Sequence, residues 1–594
     1  MEKQKPCDLA IIGGGPAALN VLSALSERSD TVNLPQRIVI FEAKPEKEEM
    51  GRGVFAKKGA IESHLMLNPG DRMSRIARGE ALNREFDQKV AALQRLGVEV
   101  TTLSGANVTS CKTDGQHHHI TYTHNNSSHE LDSSMTVLAT GYYQEKTDYK
   151  ARPDYIRAYP AVDMMERISQ KAQNGRTVAL GTGPTGVDVA IAWAEKVGNF
   201  VPHKDGSYTF QFKPGYENAR LTLASPSGRL PTVMEKESTA GIKGSKVHFN
   251  SSSVERLRNA RGNEGYVPVG EMMKLIIQDL QKINPSHYLY KQLKNVRSLN
   301  DLIQVLTPDD AAFAFSKDME MAKSKGFFYN SGSAWQAELA LNPDLSAASQ
   351  YFSAEDMQHF QKFRSILTAY SAPIPLENAE KLQALFAASP KKDDPYFSVV
   401  KLKSKEPPKP ARAGNGFTVK TTRGELQADL LVDGVPGKDI RRHPSPLVQQ
   451  MLKDGLIQPG FATFQDPAQE REAAASGNPQ YAKAGKPGVN EKTVLLTDGI
   501  MINPQSREVV PAISNDRDYK STEGPTLMTM GNLAANRLLT SMGMLKDDAT
   551  RIALEVSKKV SDRRQAATAG REVQFAKDPK EQKREQGDNR PSFH

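Results

Sequence analysis

Two short stretches carry the residue types that hold a phosphate diester with main chain alone. "IIGGGPAALN" (11–20) and "GTGPTGVDVA" (181–190) each follow an apolar run and open a helix-forming segment. Such a turn needs one glycine for the bend, a second so that the backbone can approach a pyrophosphate, and a third small residue where helix meets strand. Gly13, Gly15 and Ala18 meet these demands in the first stretch, and Gly181, Gly183 and Gly186 in the second. The helix N-terminus then points N–H groups and partial positive charge at the anion. The chemistry implied is dinucleotide binding at both turns.

The segments downstream of the two turns differ. The first unit's second apolar run, "RIVIFE", ends in Glu42, an acid placed to accept hydrogen bonds from ribose hydroxyls. The second unit's run, "ARLTLASPSGR", ends without an acid. Ser225 and Arg229 stand there instead, and a hydroxyl and a guanidinium suit a 2′-phosphate that a carboxylate would repel. The spacing therefore favours NADPH over NADH.

The elements that must position these residues are set by periodicity. Asp8 to Ile12, the glycine turn, "PAALNVLSALSER" and "RIVIFEAK" form a strand, turn, helix and strand. "GVEVTTLSGANVTSC", "HHITYTH" and "MTVLATG" predict a hairpin and one more strand in the same unit. "GRTVALGTGPTGVDVAIAWAEK" repeats the opening. From about Gly270 to Leu385 the spacing turns helical, as in "GEMMKLIIQDLQKI" and "NAEKLQALFAAS", which predicts an insertion able to cap a substrate. After "KSKEPPKPARAGNG" come the strand-like "FTVKTT", "DLLVDG", "GIMINP" and "PTLMTMGN", then a helix from about Met544 to Lys559. The expected fold class is α/β, two Rossmann-like dinucleotide-binding domains with a mainly helical insertion. The expected boundaries are 1–155 for the first part of one dinucleotide-binding domain, 156–265 for a second, NAD(P)H-binding one, 266–415 for the helical insertion, 416–561 for the return to the first domain and 562–594 for a polar, disordered tail.

Composition removes several classes. The net charge of +9 is spread over 78 basic and 69 acidic residues in a chain of 594, with no long basic block, so no nucleic-acid partner is expected. Cys7 and Cys111 are the two cysteines and form no C-x-x-C, which leaves no dithiol relay. No apolar stretch approaches the roughly 20 residues of a membrane span. The first residues do not read as a signal peptide, so a cytoplasmic location and no membrane partner are expected. "HHH" (117–119) with His124 and His129 invites a metal reading, but only His117 and His119 would share a strand face and no nearby carboxylate completes a set; a solvated hairpin and no metal are expected. "GPTGV" lacks the Gly-Lys-Ser/Thr of a P-loop. Asp188 reads as a structural acid on its helix, and Arg364 and Tyr370 as residues that tie a helix end into the core or orient a polar substrate.

The order of motifs carries a further signal. The two turns, "GRGVF" (51–55), "HLMLNPGDRMS" (64–74), "LATG" (138–141), "SPSGRLP", "FRSILTAYSAPIPLENAEKLQAL", "DLLVDG" and "RHPSPLVQQMLKDGLI" resemble the bacterial FAD/NAD(P)-binding flavoprotein family over most of residues 7 to 560. Members with known activity include single-component flavin monooxygenases, among them amino-acid N-hydroxylating nitrosuccinate-synthase-like enzymes and an FAD-dependent urate hydroxylase. The resemblance implies FAD on Gly13, Gly15, Ala18 and Glu42, with Arg52, Asn68 and Met73 on the isoalloxazine side and Val108 against the adenine. Thr140 and Gly141 would close the first domain, and Gly531 and Asn532 would return to the flavin. NAD(P)H would lie on Gly181, Gly183, Gly186, Ser225 and Arg229. "VDGVPG" (432–437) stands where a second "ATG"-like turn is expected. The implied activity is NAD(P)H-dependent oxygenation of a small polar substrate by O₂, with no side chain assigned as catalytic. Two other readings fit the same cofactors: a reductase or oxidase that oxygenates nothing, and a flavin-binding redox sensor or scaffold.

Overall fold

The computed structural model describes residues 2–576 apart from 54–72, 235–246, 284–288, 324–342, 390–393, 404–407, 411–414, 485–491, 503–508, 511–524, 531–541 and the single positions 142, 146, 160, 172, 174, 264 and 438. Two parallel sheets dominate it. In the first, the order across the sheet is Val509–Val510, Thr526–Thr529, Ser127–Leu138, Cys7–Ile12, Arg37–Glu42 and Glu99–Ser104. Asn107–Thr113 and His118–His124 add an antiparallel meander onto Ser127–Leu138. Parallel strands covered on both faces need continuous apolar runs, and "LAII" and "IVIF" supply them. Leu9, Ile11, Ile38 and Ile40 pack under the helices Pro16–Glu27, Arg75–Arg95 and Met542–Ala576. Ala10, Ile12, Val39 and Phe41 face the meander and the helix Pro446–Lys453.

The second sheet is assembled from distant segments. Its order is Phe397–Lys401, Arg220–Ser225, Arg176–Leu180, Leu430–Asp433 and Tyr155–Arg157, all parallel. One face is covered by the helices Pro184–Val197, Ala311–Lys323 and Leu376–Ala387, around the fully buried Trp193. The other is covered by the small antiparallel sheet that contains Phe417–Thr421 and Gly424–Ala428. A third core joins the helices Ser251–Asn259, Val269–Ile283, Leu299–Leu306 and Ala354–Ser371 to Ala462 and Leu495 of the antiparallel sheet Ile457–Thr463, Lys492–Ile502 and Tyr481–Ala484.

The α/β class with two parallel nucleotide-binding-type sheets stands; three boundaries move. The insertion placed at 266–415 is split, because Ala311–Lys323 and Leu376–Ala387 pack on the second sheet and Phe397–Lys401 is its edge strand. The segment 416–561 does not return whole to the first sheet: Leu430–Asp433 lies between Arg176–Leu180 and Tyr155–Arg157. A short apolar run announces a buried strand but not which sheet will bury it. The tail placed at 562–594 is helical as far as Ala576, and its Arg564 Nη1 donates to Asn33 Oδ1 at 3.4 Å.

The histidine hairpin also differs in detail. His118, not His117 or His119, faces the core, 2 % exposed and 2.9 Å from Thr136 Oγ1. Two carboxylates do approach: His119 Nδ1 lies 2.7 Å from Asp132 and Nε2 lies 2.9 Å from Asp114. They form a surface ion-pair cluster that raises the His119 pKa, chiefly through the Asp132 hydrogen bond. Among the described residues, no group of three or more His, Cys, Asp or Glu has metal-holding geometry. No helix among them is long and apolar enough to cross a membrane.

Candidate functional site

The first glycine turn is set by close approach. Gly13 has φ +112, and a Cβ there would lie 2.3 Å from the Ala139 carbonyl oxygen, so no other residue fits. Gly13 N–H donates to Phe41 O at 2.9 Å, and Gly15 caps the helix Pro16–Glu27 with proline at its first position, where a missing N–H costs nothing. Glu42 closes the turn from below. Its Oε2 accepts from Gly14 N–H at 3.0 Å and its Oε1 from Lys44 N–H at 3.0 Å, which fixes the carboxylate at the end of its strand with lone pairs to spare. Residues 50–53 pass over the turn: Gly51 N–H donates to Gly14 O at 2.6 Å, and a Cβ on Gly53 would meet Pro16 Cδ at 2.6 Å.

Two polar atoms flank this turn without a hydrogen-bond partner among the described residues. Arg52 is 8 % exposed and its buried Nε has no hydrogen-bond partner among the described residues; the same holds for Thr140 Oγ1, whose backbone N adjoins Gly13. Gly141, with φ +70, leaves open space where a Cβ would stand. A buried donor or acceptor left unmade costs about 1–3 kcal/mol, so a ligand that satisfies both would stabilise the fold. Ala18 is fully buried at the helix–sheet contact, Val108 packs among Phe41, Ala106 and Tyr122, and Met73 is 39 % exposed. Asn68, Gly531 and Asn532 lie outside the described residues.

The second turn repeats the sterics with other neighbours. Gly181 has φ +100 and donates its N–H to Ala224 O at 2.8 Å; Gly183 caps Pro184–Val197; a Cβ on Gly186 would lie 2.3 Å from Gly181 O. "VDGVPG" seals its flank, with Gly434 N–H on Leu180 O at 3.1 Å and Asp433 accepting from Tyr155 Oη at 2.8 Å. Burial raises the Asp433 carboxyl pKa. Thr368, on the helix Ala354–Ser371, reaches to 3.9 Å of the position a Cβ on Gly183 would take, so the third core borders this turn. One helical turn before it, burial lowers the Arg364 guanidinium to about 10.

Two expected nucleotide ligands are used elsewhere. Ser225 Oγ accepts from Thr182 Oγ1 at 2.9 Å and from Gly228 N–H at 3.0 Å, an internal brace of the turn. Arg229, expected to meet a 2′-phosphate, is 3 % exposed, pairs with Asp318 Oδ2 at 2.7 Å and lies over the Tyr370 ring at 4.8 Å. A guanidinium neutralised inside the core does not read a phosphate outside it, so the preference for NADPH over NADH loses that support. Tyr370 likewise ties its helix to the second domain.

Sequence reasoning identifies Asp188 as structural but misses its partner. Arg75 Nη2 lies 2.6 Å from Asp188 Oδ2, and Tyr159 Oη donates to the same oxygen at 3.3 Å. No spacing rule links positions that far apart in the chain. Cys7 and Cys111 are free and buried, and burial pushes both thiols up to about 12, so neither is a thiolate near neutral pH.

Residues 7–203, which contain both glycine turns, match the model of the pyridine nucleotide-disulphide oxidoreductase family. The comparison with curated proteins gives no match. Among solved structures, the chain is similar to the ornithine N-hydroxylase of Kutzneria sp. 744, with 12 % identity, 94 % of this chain and 100 % of that one covered, and a TM-score of 0.41. It is similar to the reduced form of ornithine hydroxylase from Pseudomonas aeruginosa, with 8 % identity, 94 % and 100 % coverage and a TM-score of 0.43. It is similar as well to the bacillithiol disulfide reductase of Bacillus cereus, with 10 % identity, 93 % and 100 % coverage and a TM-score of 0.36.

Proposed function

We propose, with the family match over residues 7–203 as premise, that the chain is an FAD-dependent oxidoreductase that draws electrons from NAD(P)H and hydroxylates a small polar substrate with O₂. The observation that carries the reading is the first turn itself: a glycine cradle at a helix N-terminus, roofed by residues 50–53, with a strand-end carboxylate below and the orphaned Arg52 Nε and Thr140 Oγ1 beside it. These residues fit a flavin dinucleotide. The Gly15 N–H and the N–H groups of the first turn of Pro16–Glu27 would take the pyrophosphate, Glu42 a ribose hydroxyl, and Arg52 and Thr140 polar atoms further along. Gly181, Gly183 and Gly186 would hold the nicotinamide dinucleotide in the same manner.

Bound FAD supplies two-electron chemistry between a nicotinamide and O₂; the protein supplies binding, orientation and exclusion of water. The third core, bordering the second turn through Thr368, would cap the substrate side. Hydroxylation in particular is supported by the motif order shared with flavin monooxygenases. A disulfide acceptor has no support, because the buried Cys7 and Cys111 are not redox partners.

The test is spectroscopic. The purified protein should carry FAD, bleach under anaerobic NADPH or NADH, and recover its colour in air. With the right amine or acid present, peroxide release should fall and a product one oxygen atom heavier should appear. A flavin that neither nucleotide bleaches would sink the oxidoreductase reading. Bleaching with full peroxide release, whatever amine or acid is added, would replace hydroxylation by the reductase or oxidase reading.

A further inference from the structure

We infer that Arg75 and Asp188 are a positioning pair that holds the flavin side of the first domain in register with the second glycine turn. The inference rests on the proposal that both turns bind a dinucleotide. Ser74 Oγ accepts from Ala77 N–H at 3.1 Å and so starts the helix Arg75–Arg95 at Arg75. Met73, two residues before Arg75, is one of the residues that the motif resemblance places on the isoalloxazine side. Asp188 lies in the helix Pro184–Val197, which the second glycine turn opens. The ion pair is 2.6 Å long, with side chains only 9 % and 5 % exposed, and it joins the two domains directly.

The pair is part of a short relay. Tyr159 Oη donates to Asp188 and accepts from the Thr185 side chain, and Thr185 belongs to the "GTGPT" turn itself. Burial, reinforced by the Asp188 charge, pushes the Tyr159 hydroxyl up to about 12, so it stays a neutral donor. Burial opposes the charge on Arg75, and the Asp188 and Tyr159 interactions more than offset it, leaving its pKa raised. Arg75 and Tyr159 therefore both keep their protons and both aim them at Asp188 Oδ2.

A buried ion pair is a weak source of net stability, because desolvation offsets attraction. Its geometry is nonetheless strict, and strict geometry is what transfer between two separately bound rings demands. Reacting atoms must approach to roughly 3–3.5 Å, and a misplacement of about 1 Å costs on the order of 100-fold in rate. A pair that fixes one helix start against the other sets that distance without touching either ring.

The experiment uses the full-length holoprotein. Asp188→Asn breaks the buried pair from one side, so Arg75→Gln/Asp188→Asn, which removes both charges, is the decisive variant and keeps the test open if the single variant does not fold. The double variant should retain FAD and bind NADPH within about threefold of the parent, while anaerobic bleaching slows about 10- to 100-fold. Hydrogen exchange should rise together in the first turns of Arg75–Arg95 and Pro184–Val197, and Arg75→Lys should recover part of the rate. A double variant that bleaches at the parent rate with unchanged exchange overturns the inference. So does a rate loss matched by an equal loss of nucleotide affinity, which would make the pair a binding determinant. A parent protein that no nicotinamide bleaches defeats the proposed function instead; the exchange measurement then decides the pair alone, coupled rise supporting it and independent behaviour overturning it.

Discussion

The two glycine turns satisfy one steric demand with different support. Below the first lies a carboxylate, Glu42, fixed by the N–H groups of Gly14 and Lys44. Below the second lies a hydroxyl, Ser225, fixed by Thr182 and the N–H of Gly228. Beside the first turn, Arg52 Nε and Thr140 Oγ1 are unspent among the described residues, whereas at the second the guanidinium of Arg229 is spent on Asp318. A turn's own residues thus announce where a phosphate goes, but only the neighbours say what else the ligand meets. Those neighbours come from anywhere in the chain.

The sharpest break in this comparison would come at Arg229. Arg229→Ala breaks the buried pair with Asp318 from one side, which costs about 3–5 kcal/mol, so a large drop in the denaturant midpoint is expected. The ratio of KM for NADPH to that for NADH should stay unchanged in whatever protein folds. A selective loss of NADPH would return Arg229 to phosphate recognition and make both turns outward-reading.

Next in size is an acid effect confined to the first domain. Burial holds the His118 imidazole neutral, with its pKa lowered to about 4 from an ordinary 6.5. Below pH 6.5 the unfolded chain takes up a proton that the folded chain refuses, so stability falls as pH drops from 6.5 to 4, by about 3 kcal/mol in all. Flavin release should therefore precede loss of the second domain's structure in an acid melt, and His118→Leu should flatten that dependence. Simultaneous loss in the parent and the variant would erase the distinction.

Glycine replacement sharpens the comparison further. Gly181→Ala pays the positive-φ strain of about 1–2 kcal/mol and little else, since its nearest obstacle is 3.6 Å away. Gly13→Ala has the same strain and also drives a Cβ to 2.3 Å from Ala139 O. Purified Gly13→Ala should be colourless by flavin-to-protein ratio, and Gly181→Ala yellow but poorly bleached by nucleotide. Smallest is Ser225→Ala, which removes one brace at about 1 kcal/mol and should weaken NADPH and NADH alike in titrations.

Both turns, their helices and most strands are legible in the sequence because their signals are local. Gly13, Glu42, Gly181 and Gly186 stand where spacing places them. Sheet membership is not local. Leu430–Asp433 is as apolar as a first-sheet strand, and only its pairing with Val178 and Ile156 assigns it to the second. Side-chain partners are less legible still: Arg229 finds Asp318 and Asp188 finds Arg75, each by tertiary contact rather than by pattern.

The second sheet has a consequence for biosynthesis. Leu430–Asp433 is an interior strand, wedged between Arg176–Leu180 and Tyr155–Arg157, yet it leaves the ribosome about 250 residues after them. At about 5–20 residues per second, the two early strands wait roughly 12–50 s with unpaired edges facing each other. An incomplete chain thus exposes the very hydrogen-bonding template that invites a neighbouring chain to insert. Slow codons or truncation between these strands should send the protein to inclusion bodies, and a chaperone that shields nascent strand edges should govern its yield.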